Sequence, residues 1–169
     1  GAFGPGTLAD LGWWTGLPPT SLLSGATFES TSPANGETLG VFPKSTAADV
    51  DRAVGAAREA LDGPWGKTPP NERSRLLQAL ADAIHANRKE LTELETRNVG
   101  KAISSVKAEV ATAAENFRFY ASAIATIAGR SSPIGGSIHA YTLKEPVGVC
   151  AQIVPWNYPI MLAAWKLAP

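Results

Sequence analysis

The chain has 169 residues, with 15 Lys+Arg balanced by 15 Asp+Glu, 44% apolar and 18% charged residues. That size and composition belong to an ordinary soluble globular domain, and zero net charge removes the basic field that a nucleic-acid partner needs, favouring small-molecule and cofactor chemistry. The single Cys150 and the well-separated His85 and His139 exclude a disulfide scaffold and a zinc module and point to a reducing, cytoplasmic compartment.

The chain opens at Gly1 rather than Met, and Gly1–Gly6 has neither the basic n-region nor the apolar h-region of a signal peptide, so it reads as a cut or incomplete start. Residues 1–26 are rich in Gly, Pro, Ser and Thr, contain Trp13-Trp14 and Pro18-Pro19, and carry no apolar period; an irregular leader is expected. Thr27–Thr31 and Thr38–Phe42 are short β-branched and aromatic runs separated by Ser32–Glu37. Asn35-Gly36 between them predicts a hairpin, because both residues tolerate positive φ.

Helical patterns follow. Thr46 with Asp49 three residues on has the form of a capping box, and Val50, Ala53, Val54, Ala57 and Leu61 make one apolar stripe that stops at Gly63-Pro64. Pro69-Pro70-Asn71 opens a second helix with Leu76, Leu77, Leu80, Ala83 and Ile84 on one face. Asn87 with Glu90 starts a third, with Leu91 and Leu94 facing inward and Gly100 at its end. Its Glu90, Glu93, Glu95, Arg88, Lys89 and Arg97 read as a solvated face. The fourth and longest carries Ile103, Val106, Val110, Ala113, Phe117, Tyr120, Ile124 and Ile127 at spacings of three and four.

After Gly135-Gly136, Ser137–Lys144 suits an exposed or edge strand. Val147–Val154 is nearly continuous apolar, the pattern of a parallel strand covered on both faces, with Cys150 buried within it as a small hydrophobe. Pro155–Tyr158 turns the chain, and Pro159 suits the first position of a helix over Ile160–Leu167. The 20 uncharged residues Pro146–Trp165 are long enough to cross a bilayer, but Gln152, Pro155, Asn157 and Pro159 would break the helix and bury amides, so no membrane span is expected. A parallel strand needs a neighbour reached by a crossover of about a dozen residues or more, and only Met161–Pro169 follows the turn.

The run Glu145–Pro159 (EPVGVCAQIVPWNYP), continuing to Ala164–Pro169 (AWKLAP), closely resembles the NAD(P)-dependent aldehyde dehydrogenase superfamily, with EPVGV, PWNYP and AWKLAP in that family's order and spacing. Ser32–Glu37 (SPANGE), Ala48–Ala57, Pro64-Trp65, Asn71–Leu77, Leu94–Lys101 (LETRNVGK) and Phe117–Ala121 are also similar to its amino-terminal region. The resemblance implies an α/β chain that is the amino-terminal part of a doubly wound cofactor-binding domain: hairpin, four helices, β-arm, first parallel strand and the start of its helix. Residues 1–26 would be the leader and 27–169 the part of the NAD(P)-binding domain, with about 131–146 contributing to an oligomerisation β-arm.

The resemblance further implies oxidation of a small-molecule aldehyde to a carboxylic acid with NAD or NADP, through a thioester on a cysteine outside this chain. Family members are several times longer, so the fragment alone is expected to be inactive, and the full enzyme to be a homo-oligomer, dimer or tetramer. Asn157 matches the family's oxyanion donor, worth about 3 kcal/mol of barrier; without the motif it would read as a turn-forming residue before a helix. Ile153, Val154, Pro155 and Trp156, with Asn157, match the strand end that lines the cofactor cleft, a position compatible with core packing as well. Lys166 matches a lysine given a supporting catalytic role in some members, and equally reads as a cation at a helix end.

Cys150 does not occupy the nucleophile's position, and His85 and His139 read as ordinary surface or satisfied histidines. Asn98 stands where many members carry an Asp used in a monovalent-cation site; with that charge lost, no metal is expected. This chain also departs from the family at Gly16–Gly25, where an Ile-Asn-Gly-type turn is usual. The family has no single Gly-x-Gly-x-x-Gly fingerprint, so its absence carries no weight. The competing reading is a truncated, non-catalytic remnant acting as an interaction module through its unpaired strand and helix stripes.

Overall fold

The computed structural model describes residues 25–169. The expectations for the leader and for Gly16–Gly25 fall outside the described residues, save for Gly25 and Ala26. The chain divides into two compact units, one ending at Lys67 and the other running Thr68–Pro169.

The first unit contains β1 (Thr27–Thr31), β2 (Thr38–Pro43) and α1 (Ala47–Asp62). The strands pair antiparallel from Thr27↔Pro43 to Thr31↔Thr38, as the two β-branched runs predict. Their connection is a longer loop than a two-residue Asn-Gly turn. Only Gly36 has positive φ, and the Ser32 amide donates to the Glu37 carbonyl at 2.8 Å while Asn35 Oδ1 accepts from the Glu37 amide at 3.2 Å. The cap of α1 forms as its sequence predicts, because Asp49 Oδ2 accepts from the Thr46 backbone N–H at 2.9 Å and from Thr46 Oγ1 at 2.8 Å. The stripe is covered unevenly: Ala53, Val54 and Leu61 are half-buried, whereas Val50 and Ala57 are exposed.

The second unit is built around α4 (Ile103–Ala123), against which α2 (Pro70–Ala86), α3 (Arg88–Val99) and α5 (Pro159–Leu167) all pack. A 3₁₀ turn, Ile124–Thr126, continues α4. Val106 and Val110 are the largest fully buried side chains, and Ala81, Ala113, Phe117, Ala164 and Ala168 form the central cluster. The alanines allow close helix approach, and Phe117 supplies the bulk that fills the space between them. Two polar ties fix α2 against α4. Ser74 Oγ donates to the Ala121 carbonyl at 2.6 Å, and Arg118 bridges Asp82 at 3.1 Å and Glu115 at 2.7 Å.

On α2 the covered residues are Leu77, Ala81 and Ile84, while Leu76, Leu80 and Ala83 are exposed. The predicted face was broader than the seam that α4 covers: Leu77, Ala81 and Ile84 follow one i, i+4, i+7 line, and Leu76, Leu80 and Ala83 follow the adjacent one. Leu94, Ile103 and Ile127 are likewise exposed rather than inward. Asn87 acts backwards from its predicted role, since Nδ2 donates to the Ala83 carbonyl at 2.8 Å and closes α2 instead of capping α3. Gly100 ends α3 at φ 76°, as a C-terminal glycine does.

A second hairpin pairs β3 (Ser131–Gly135) with β4 (Ile138–Tyr141) antiparallel, from Ser131↔Tyr141 to Gly135↔Ile138, around positive-φ Gly135 and Gly136. Its base is closed by the Thr142 amide on the Arg130 carbonyl and the Arg130 amide on Thr142 Oγ1, both 2.8 Å.

The predicted strand at Val147–Val154 carries no ladder: among the described residues the sheets are β1-β2 and β3-β4 alone. The segment runs without regular secondary structure and its side chains are open, Val147 97% and Ile153 88% exposed. Cys150, expected in a core, is exposed, with Sγ 3.7 Å from the Gly148 carbonyl. The reason is topological. Continuous apolar sequence specifies burial between layers, and no described strand lies beside this one to form them. No helix among the described residues is long and apolar enough to cross a membrane.

Candidate functional site

The open segment Val147–Val154 runs into a turn at Pro155–Tyr158, and α5 starts at Pro159, whose fixed φ and missing N–H suit a first helical position. Asn157 lies half-buried in this turn, between the exposed Ile153–Trp156 stretch and the helix. The unit is tied at both ends. Gln152 Nε2 donates to the Lys166 carbonyl at 2.7 Å, and the Tyr158 carbonyl accepts from the Leu162 amide at 2.9 Å.

The N-cap residue, Tyr158, offers no side-chain acceptor to α5. The acceptor comes from α3 instead: Glu95 Oε2 takes the Ile160 backbone N–H at 3.2 Å. Behind it lies a cluster of buried charge. Lys101, in the loop after α3, donates to Glu109 Oε1 at 2.8 Å and places its ammonium 3.2 Å from the centroid of the Tyr158 ring. Glu95 and Glu109 are 8% and 7% exposed, so two buried carboxyls share one partly buried cation. Burial pushes the Glu95 carboxyl above the ordinary carboxylate range; the Ile160 N–H opposes this, and the neighbouring Glu109 reinforces it.

Glu95 is therefore not part of a solvated face. Its burial was readable from spacing, because it lies four residues from Leu91 and four from Val99, both half-buried on α3. Glu109 similarly falls within the Val106, Val110 and Ala113 stripe of α4. Charge composition masked both positions.

Ile153, Val154, Pro155, Trp156 and Asn157 form one continuous stretch, with Trp156 81% exposed. Lys166 sits exposed in the last turn of α5, at the far end of a nine-residue helix from Asn157. That separation is on the order of 12 Å at 1.5 Å per residue, so the two side chains are not brought together on one atom. His85 is exposed on α2, and His139 Nε2 lies 2.5 Å from Ser131 Oγ across the second hairpin.

The helical unit thus presents an open segment, an asparagine-bearing turn and a short helix in succession. The chain belongs to the aldehyde dehydrogenase family, whose model matches residues 22–169. It is 44% identical over 154 residues to an acetaldehyde dehydrogenase of Pseudomonas aeruginosa, covering 90% of this chain and 30% of that protein. Over 148 residues it is 43% identical to aldehyde dehydrogenase family 2 member B4, mitochondrial, of Arabidopsis thaliana, covering 86% of this chain and 28% of that one. The aldehyde dehydrogenase of Bacillus cereus solved in its NAD+ complex matches with a TM-score of 0.84 at 39% identity, over 88% of this chain and 30% of that chain.

The chain thus spans about 30% of the length of these relatives. The resemblance read from EPVGV, PWNYP and AWKLAP is borne out, and so is the fold class, mixed helix and strand forming the amino-terminal part of the family's cofactor-binding domain.

Proposed function

We propose that this chain is the amino-terminal portion of an enzyme that oxidises an aldehyde to a carboxylic acid with NAD or NADP. The observation that carries the reading is the position of Asn157, in a turn where an open, irregular segment meets the amino terminus of a helix, inside the family-matched region. Ile153–Trp156 fit one wall of a dinucleotide cleft, being exposed, outside any ladder and open to a ligand. Bound there, the cofactor supplies the hydride acceptor.

A cysteine thiolate contributed from outside this chain attacks the aldehyde carbonyl, and the Asn157 amide N–H donates to the oxygen as it becomes anionic. A fixed donor of this kind stabilises the transition state more than the neutral carbonyl of the ground state. Loss of the former aldehyde hydrogen as hydride to the bound nicotinamide would convert this thiohemiacetal adduct into a thioester, and water would then release the acid and return the thiol. Lys166 acts in support from the far end of α5. The hairpin Ser131–Tyr141, within about 131–146, is the oligomerisation β-arm of a dimer or tetramer, supported by the exposed Ile134, Ile138 and Tyr141 along it. A cytoplasmic setting suits the single exposed cysteine.

The test is kinetic. In the full-length enzyme, Asn157→Ala is expected to lower kcat by about 10²–10³-fold with little change in cofactor affinity. The 169-residue chain alone is expected to form no NADH from any aldehyde. An unchanged kcat where chemistry is rate-limiting removes Asn157 from the oxyanion role, and turnover by the isolated chain overturns the whole reading.

A further inference from the structure

Asn157 lies in a turn with few ties of its own, yet an oxyanion donor works only when held to within a few tenths of an ångström of its target. The flanking helix does not fix it locally. Tyr158 provides no side-chain cap, and Pro159 has no N–H to be held. The first backbone N–H of α5 is that of Ile160, and it is taken by Glu95 from a position 65 residues earlier in the chain.

Glu95 is itself fixed. It is buried on α3 beside Glu109, whose other oxygen is bound by Lys101, and Lys101 in turn lies against Tyr158, the residue after Asn157. Two buried oxygens, Glu95 Oε1 and Glu109 Oε2, have no donor among the described groups. One proton held between these two carboxyls would satisfy both in a single O–H···O bond and match two acids to one lysine. The turn is then gripped twice, through Ile160 N–H on one side and the Tyr158 ring on the other.

We propose that Glu95 is a positioning residue for Asn157: with Lys101 and a proton shared with Glu109, it clamps the start of α5 and so aims the Asn157 amide. The clamp rests on the oxyanion role given to Asn157 above only for its catalytic consequence; the hydrogen bond to Ile160 stands apart from it. The charged groups facing Glu95 are Glu109 from α4 and Lys101 from the α3–α4 loop.

Two measurements separate these parts. In the 169-residue chain, the Ile160 amide resonance is expected to move with pH as the Glu95 carboxyl titrates. Glu95→Gln, which keeps an acceptor for Ile160, removes that movement, and Glu95→Ala raises amide exchange at Ile160 on the order of tenfold. A wild-type resonance that is flat with pH, or one that still titrates in Glu95→Gln, overturns the clamp, and the Gln variant decides this even where the Ala variant does not fold.

In the full-length enzyme, Glu95→Ala is expected to lower kcat about tenfold with KM for the cofactor within about twofold, and Glu95→Gln to restore most of the loss. Combined with Asn157→Ala, Glu95→Ala adds nothing further, because both act through one donor. Multiplicative losses overturn the positioning role while leaving Asn157 catalytic. A full kcat in Asn157→Ala alone overturns the oxyanion reading and leaves the Ile160 measurement to judge the clamp.

Discussion

The ammonium of Lys101 stands 3.2 Å from the centre of the Tyr158 ring while donating to Glu109 Oε1 at 2.8 Å, so one cation joins the α3–α4 loop, α4 and the turn before α5. Its side chain keeps 21% of its accessible surface and that of Glu109 only 8%, which makes this a partly buried pair rather than a surface one. Replacing Lys101 by Met leaves the Glu95 and Glu109 carboxyls without a counter-charge. The expected cost is about 2–3 kcal/mol, below the full range for a buried pair because Lys101 is partly wet. Tyr158→Leu removes only the ring contact and costs about 1 kcal/mol. Urea titrations of the two variants check the order; equal losses would place the stabilisation in packing rather than charge.

Stability is expected to carry a pH signature from Glu95. Its carboxyl is raised in the folded chain, chiefly by burial, so between the ordinary carboxylate range and the raised value the folded state binds more protons than the unfolded. Stability from this group is therefore full at acid pH and lost as pH rises through the raised value. Glu95→Gln flattens that slope and gains relative to wild type at neutral pH. Urea midpoints measured across the acid-to-neutral range show it, and a wild-type slope unaltered in Glu95→Gln would assign the pH dependence elsewhere.

Core substitutions distinguish the covered line of α2 from the open one. Phe117, packed among Ala81, Ala113 and Ala164, is expected to lose about 3–4 kcal/mol on change to Ala. Leu77→Ala costs about 2 kcal/mol, and Leu80→Ala, 42% exposed, below about 1 kcal/mol in the 169-residue chain. Chemical unfolding of the three variants tests the ranking.

The base of the second hairpin depends on Gly129, because any Cβ there would overlap the Thr142 carbonyl. Gly129→Ala is expected to open the paired Arg130 and Thr142 bonds at a cost of about 1–3 kcal/mol. Loss of amide protection at Arg130 and Thr142 reports it. In the full-length enzyme, sedimentation of the same variant tests the proposed oligomerisation role of this hairpin, weakened self-association being the expected outcome.

The elements themselves were largely legible. The first hairpin, the capping box of α1, the proline start of α2, the glycine end of α3 and Pro159 at the start of α5 are local chemistry, and each appears where its residues call for it. What escaped is tertiary. Val147–Val154 reads as a covered strand because its composition answers to neighbouring layers, yet the described residues include none. Asn87 reads as a cap for α3 in the sequence because a capping signal has no direction until the side chain is placed.

The site divides in the same way. Asn157 and Ile153–Trp156 came from a motif, and periodicity alone would have left Asn157 an ordinary turn residue. Glu95, Glu109 and Lys101 lie 48 to 62 residues before Asn157, and two carboxyls on separate helices with a lysine in the loop between them give no sign of convergence in the sequence. The spacing of Glu95 from Leu91 and Val99 held that information, outweighed by the assumption that a charged side chain faces water.

The open backbone of Val147–Val154 sets a condition on how the chain is made and handled. Eight residues, VGVCAQIV, combine β-branched side chains, no charge and unspent amides, which is the make-up of a template for intermolecular pairing. On a ribosome these residues emerge after α2, α3 and α4 and before α5, and the segment then waits for complementary strands. Solutions of the 169-residue chain therefore have a concentration ceiling set by this one stretch, and a charged residue at Ile153 raises the ceiling while leaving the bundle as stable as before.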